Sequence, residues 1–131
     1  VLLVDDHTIM RQGLARMLQD EPGIELAGQA DNGQEAVALA LMTHPDVVLM
    51  DVSMPGMDGV EATRRILAEL PDVKVIGLSM HEGAEIAARM RQAGAVDYLS
   101  KGGDPADLVS TVRRWAQKEQ EQGSPVPARS D

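Results

Sequence analysis

Five short apolar runs, each followed by a longer stretch of helical period, constrain this chain more than any other feature of its sequence. The runs are VLLV (Val1 to Val4), IELAGQA (Ile24 to Ala30), DVVLM (Asp46 to Met50), VKVIGL (Val73 to Leu78) and AVDYL (Ala95 to Leu99). Several are apolar without alternation, the pattern of strands covered on both faces. Between them, Met10, Leu14, Met17 and Leu18 form one helical stripe, and Ala36, Val37, Ala40 and Leu41 a second. Val60, Thr63, Ile66, Leu67 and Leu70 form a third, Ile86, Met90 and Ala93 a thinner fourth, and Leu108, Val109, Val112, Trp115 and Ala116 the last. Asn32 with Glu35 and Asp58 with Glu61 have capping-box spacing, Asp104 precedes Pro105 at a helix start, and Gly94 suits a helix end. Regular alternation of strand and helix implies right-handed crossovers, hence an α/β fold with a parallel sheet and helices on both faces.

At 131 residues the chain has room for one such domain. With no Phe, one Trp and one Tyr, its core must be aliphatic and Met-rich. A formal net charge of -9 argues against this segment gripping DNA phosphates or an anionic membrane by itself. The absence of cysteine removes disulfides and thiolate metal sites, in keeping with a reducing compartment. No apolar run approaches the roughly 18 residues of a membrane span. Val1 already lies inside an apolar run, and the polar stretch QKEQEQGSPVPARSD, with Pro125 and Pro127, has the composition of a linker. Both ends suggest a piece of a longer protein.

The strands end in chemistry. The first runs into Asp5 and Asp6, the third into Asp51, the fourth into Ser79, and the fifth, past Tyr98, into Ser100 and Lys101. In an open parallel sheet the carboxyl ends share one edge, where ligands bind. Three carboxylates gathered there repel by about 1 kcal/mol per pair at 4 Å in water, and by about 4 at an effective dielectric near 20. A hard divalent cation offsets that, and Mg²⁺ favours one or two carboxylates, a carbonyl and waters. Lys101 adds a point charge suited to phosphate oxygens, and Ser79 a hydroxyl donor for them. Carboxylate, metal, lysine and hydroxyl together are what a phosphoryl group needs during transfer. Asp51, on the central strand and opening a loop with Pro55, Gly56 and Gly59, has the place of the nucleophile.

The segments LVDDH, LMDVSMPGMDG, LSMH and DYLSK, in that order and spacing, closely resemble the receiver domain of two-component response regulators. VDDHTIMRQGL and DVSMPGMDGVEATRRI are most similar to the NarL/FixJ subfamily of transcription regulators. The resemblance covers residues 1–118, with 119–131 as a linker toward an absent C-terminal output domain. It implies a flavodoxin-like (βα)5 sheet of order 2-1-3-4-5. By position, Asp51 matches the phosphoacceptor, and Asp5 and Asp6 the acidic pair that holds Mg²⁺, Asp6 directly and Asp5 largely through water. Ser53 matches the residue that offers its backbone carbonyl to the metal. Ser79 and Lys101 match the phosphoryl-binding hydroxyl and lysine, and Tyr98 the aromatic switch. The implied protein is cytoplasmic and no conventional enzyme, partners a sensor histidine kinase and at times a second copy of itself, and reaches DNA only through its output domain. Two positions depart from the pattern: Gly102 follows the lysine where Pro is frequent, and Ser79 stands where Thr is common.

Other readings compete. A phosphohydrolase of the haloacid dehalogenase class also uses an aspartate after a strand with Mg²⁺, but needs a second acid two residues on, where this chain has Ser53. A receiver-like module acting by contact alone is the third reading, although such modules usually lack part of the acidic cluster or the lysine. Neither GxGxxG nor a P-loop follows the first strand, against nucleotide binding. His7, His44 and His81 share no ligand-like spacing and are not taken as metal ligands. Asp58 and Asp104 are expected to cap helices; Asp46, Asp72 and Asp97 to be solvated turn or strand-edge residues; the helical Met residues to be packing; and Tyr98 retains plain core filling as an alternative.

Overall fold

The computed structural model describes residues 1–54, 56–80 and 84–123, with side chains of the last helix as far as Ala116. Pro55, His81 and residues 124–131, and with them part of the loop and linker readings, lie outside the described residues. Strands β1 (Leu2–Val4), β2 (Gly28–Ala30), β3 (Val47–Asp51), β4 (Lys74–Ser79) and β5 (Asp97–Ser100) alternate with helices α1 (Thr8–Gln19), α2 (Gly33–Thr43), α3 (Gly59–Glu69), α4 (Ala84–Ala93) and α5 (Pro105–Gly123). All pairings are parallel and the sheet order is β2-β1-β3-β4-β5, the flavodoxin-like order. Helix α5 takes in residues 119–123 of the stretch read as a linker.

Side chains alternate between two cores. Leu2, Val4, Val48, Met50 and Val75 pack with α2, α3 and α4 on one face. Leu3, Val47, Leu49, Ile76 and Leu78 pack with α1 and α5 on the other. Strands β1 and β3 are buried throughout, which is why their sequences carry no alternation. The second run departs most from expectation: only Gly28–Ala30 is strand, and burial alternates from Ile24 onward, because β2 is an edge with one face toward water. In α2 the buried stripe is Ala36 and Ala40, with Val37 and Leu39 beside it, leaving Leu41 40% and Met42 76% exposed. Met42 is therefore not core packing.

Local signals sit where the spacing places them. The Asn32 and Asp58 side chains accept from the Glu35 and Glu61 backbone N–H groups, at 2.8 and 3.0 Å. Asp104 Oδ1 accepts from Ala106 N–H at 2.9 Å, and Gly94 closes α4 with a φ of 114°. Gly59 is required for a different reason. A Cβ there would lie 2.2 Å from the Asp51 carbonyl oxygen and 2.8 Å from Val52 Cα, so α3 can start against the end of β3 only without a side chain. Among the described residues no helix is long and apolar enough to cross a membrane.

Gly59→Ala should therefore lower unfolding stability by about 2–4 kcal/mol, since backbone must shift to admit the methyl. Gly13→Ala, in mid-α1 with nothing within 4 Å of its Cβ position, should raise it by up to about 1 kcal/mol. Urea denaturation of both variants checks the pair.

Candidate phosphoacceptor and cation site

Parallel register delivers the strand ends to one place. Val4 pairs with Met50, so Asp5 follows β1 beside Asp51, the last residue of β3. Asp51 pairs with Leu78, and Ser79 with Ser100, which sets Ser79 and Lys101 one step further along the same edge. The Lys101 backbone N–H donates to the Ser79 carbonyl at 2.7 Å and ties the lysine to β4.

Lys101 Nζ lies 3.0 Å from Asp5 Oδ2 and 3.1 Å from Asp51 Oδ2, and all three side chains are shut off from solvent. Among the described residues neither oxygen has a well-directed hydrogen bond, so the ammonium meets them as a point charge. Asp51 Oδ1 accepts from the Ser53 backbone N–H at 3.1 Å, leaving Oδ2 as the less constrained oxygen. Asp5 Oδ1 accepts from the His7 backbone N–H at 2.9 Å. Asp6 is a quarter exposed, yet its Oδ1 is buried and without a hydrogen-bond partner among the described residues.

One ammonium cannot satisfy three carboxylates, and the acidities of Asp5 and Asp51 diverge. Burial pushes the Asp51 carboxyl up to about 6, against the downward pull of the Ser53 N–H and the Lys101 ammonium. Burial acts on Asp5 too, but there the His7 N–H and Lys101 outweigh it and hold the carboxyl below the usual range. The three carboxylates of this cluster fit a hard cation. One oxygen each from Asp5, Asp6 and Asp51 and a ring nitrogen of His7 lie within 4.8 Å of one another, and the orphaned Asp6 Oδ1 is the kind of acceptor that Mg²⁺ or its water would engage.

The structure thus brings Asp5, Asp6, Asp51 and Lys101 together and places Ser79, buried, on the adjoining strand end. Ser53 is exposed, and its N–H faces Asp51; the haloacid dehalogenase reading finds no second acid at this position. Tyr98 packs against the missing side chain of Gly77, where a Cβ would lie 2.7 Å from Tyr98 Cδ1 and 3.1 Å from Met90 Cε. Its hydroxyl is buried with no hydrogen-bond partner among the described residues. No described peptide bond is cis, so the one preceding Gly102 is trans. Asp97, read as solvated, instead accepts from Trp115 Nε1 at 3.1 Å and from the Tyr98 N–H at 2.9 Å. His7 was missed: its Nδ1 is 3.2 Å from Asp5 Oδ1, 3.3 Å from Asp6 Oδ1 and 3.5 Å from Lys101 Nζ. Its adjacency to two aspartates was the available signal, and a search for spacing between histidines could not detect it.

A family profile described as the response regulator receiver domain matches residues 1–113. Response regulator UvrY of Escherichia coli is 49% identical over 113 residues, covering 86% of this chain and 52% of that protein. Response regulator GacA of Pseudomonas viridiflava is 47% identical over 113 residues, covering 86% of this chain and 53% of that protein. The chain thus spans about half the length of these relatives. Among solved structures, a LuxR-family two-component response regulator from an Aurantimonas species superposes with a TM-score of 0.85 at 37% identity, covering 89% of this chain and 84% of that one. A CheY-like receiver domain protein from Methanospirillum hungatei gives 0.85 at 25% identity, covering 92% and 95%.

The raised Asp51 carboxyl makes a stability prediction. A group with a folded pKa of about 6 and an unfolded one near 3.8 holds its proton more tightly when folded, so stability falls as pH rises from about 4 to 6 and stays lower above. Asp51→Asn removes that loss. In metal-free buffer the variant should exceed the parent by about 1–3 kcal/mol at pH 7.5, and the difference should shrink toward pH 4.5. Thermal melts across that range measure it.

Proposed function

Since this chain belongs to the family of response regulator receiver domains, we propose that Asp51 accepts a phosphoryl group from a sensor histidine kinase and thereby switches a C-terminal, DNA-binding output domain of the full-length protein. The observation that carries this reading is the buried triad of Asp5, Lys101 and Asp51, with a nucleophilic oxygen held against an ammonium. Asp51 Oδ2 attacks phosphorus, the bond from phosphorus to the donor imidazole nitrogen breaks, and the imidazole leaves with the electron pair. Near neutral pH the Asp51 carboxyl, at about 6, is mostly ionised and so ready to attack.

Asp5, Asp6, Asp51 and the Ser53 carbonyl would hold Mg²⁺, which when bound supplies positive charge to the phosphoryl oxygens. Lys101 would exchange its contact with Asp51 Oδ2 for one with a phosphoryl oxygen, and the Ser79 hydroxyl would donate to another. Ser79 and Tyr98 belong to adjacent strands, so a shift at Ser79 bears on the Tyr98 ring beside Gly77 and Met90 and on α4. That surface would then change its affinity for the output domain or a second copy. The cytoplasmic setting belongs to the same reading.

Incubation with a small phosphodonor such as acetyl phosphate should add the mass of one phosphoryl group to the wild type in millimolar Mg²⁺, and none in EDTA. Asp51→Asn should take up none in either. Equal labelling of wild type and Asp51→Asn, seen by intact-mass spectrometry, would refute the assignment and favour a module that acts without phosphorylation.

A further inference from the structure

His7 stands among the acidic residues with no role assigned by the reading above. Its position is fixed from both sides: its N–H donates to Asp5 Oδ1 at 2.9 Å, and its carbonyl accepts the Arg11 N–H at 2.8 Å as α1 begins. With the backbone so held, Nδ1 lies 3.2 Å from Asp5 Oδ1, 3.3 Å from Asp6 Oδ1 and 3.9 Å from Asp51 Oδ2. Donor atoms bound at about 2.0–2.2 Å to one ion lie about 3–3.5 Å apart, so the two shorter separations are those of neighbouring ligands on a shared ion. Asp6 Oδ1, one of those neighbours, is buried and has no hydrogen-bond partner among the described residues. Lys101 does not compete for the same oxygen of Asp5, since it sits against Oδ2 while His7 faces Oδ1.

We propose that His7 Nδ1 is a further donor of this cation site and makes it selective for borderline transition-metal ions such as Zn²⁺ and Co²⁺ over Mg²⁺. The inference rests on the cation site described above. Carboxylate oxygens and water suit Mg²⁺ and Mn²⁺, whereas an imidazole nitrogen contributes much more to Co²⁺ and Zn²⁺, which stand higher in the order of divalent affinities. For ligation the proton sits on Nε2 and the Nδ1 lone pair points at the ion. A histidine serving only as a hydrogen-bond donor to Asp5 and Asp6 would confer no such preference.

Calorimetric titration of the phosphate-free chain with Mg²⁺, Zn²⁺ and Co²⁺, at one pH, separates these roles in wild type, His7→Ala and His7→Gln. The glutamine amide can still donate to the carboxylates but is a poor ligand for these ions. The ratio of Mg²⁺ to Co²⁺ dissociation constants, and of Mg²⁺ to Zn²⁺, should fall at least tenfold in both variants. Visible absorption of bound Co²⁺ should change in the variants, as expected when a nitrogen donor is lost. Mg²⁺ binding with ratios that stay within about twofold across the three proteins would overturn the role of His7 and leave the site intact. Failure of the wild type to bind any of the ions would overturn the site and the proposal together.

Discussion

The ammonium of Lys101, buried between Asp5 and Asp51 at 3.0 and 3.1 Å, is the contact on which the functional edge of this domain depends. Burying charge is costly unless each charge meets its opposite. Here Asp5 and Asp51 share one lysine with Asp6 beside them, so the cluster is held together yet keeps an excess of negative charge. Burial drives the Asp51 carboxyl up to about 6, while the His7 N–H and Lys101 hold Asp5 low. A site in this condition favours the arrival of positive charge.

The rest of the fold brings these residues together. Parallel pairing in the order β2-β1-β3-β4-β5 puts β1 and β4 on either side of β3, so Asp51 is flanked by the ends of both neighbours. Gly59 lets α3 begin directly against the Asp51 carbonyl. The Lys101 N–H to Ser79 carbonyl bond joins the site to β5, where Tyr98 is seated on Gly77 and against Met90 of α4. A buried phenol hydroxyl with no hydrogen-bond partner among the described residues is an arrangement of modest stability.

Much of this was legible in the sequence because it depends on short-range grammar. Unbroken apolar runs mark doubly covered strands, capping residues mark helix starts, and carboxylates at strand ends converge in any parallel sheet. The failures have equally physical causes. β2 was overextended because an edge strand with alternating burial, from Ile24 to Ala30, has no sharp apolar boundary. Leu41 and Met42 looked like core until the α2 stripe was fixed by Ala36 and Ala40 against the sheet. The inward seat of Tyr98 depends on the lack of a side chain at Gly77 on the adjacent strand, and Asp97 is occupied by Trp115 from a helix 18 positions on. Both relations are tertiary. His7 was passed over because its partners are carboxylates, one of them reached only when β1 and β3 align.

The central claim is that Lys101 offsets the charge of Asp51 in the folded chain. A double-mutant cycle of Lys101→Met and Asp51→Asn, by urea denaturation in metal-free buffer at neutral pH, tests it most directly. Lys101→Met alone leaves buried carboxylates without a counter-charge and should cost about 3–5 kcal/mol. In the Asp51→Asn background the same substitution should cost less by about 1–3 kcal/mol. An identical cost in both backgrounds would mean that lysine and aspartate are merely adjacent, and would contradict the account.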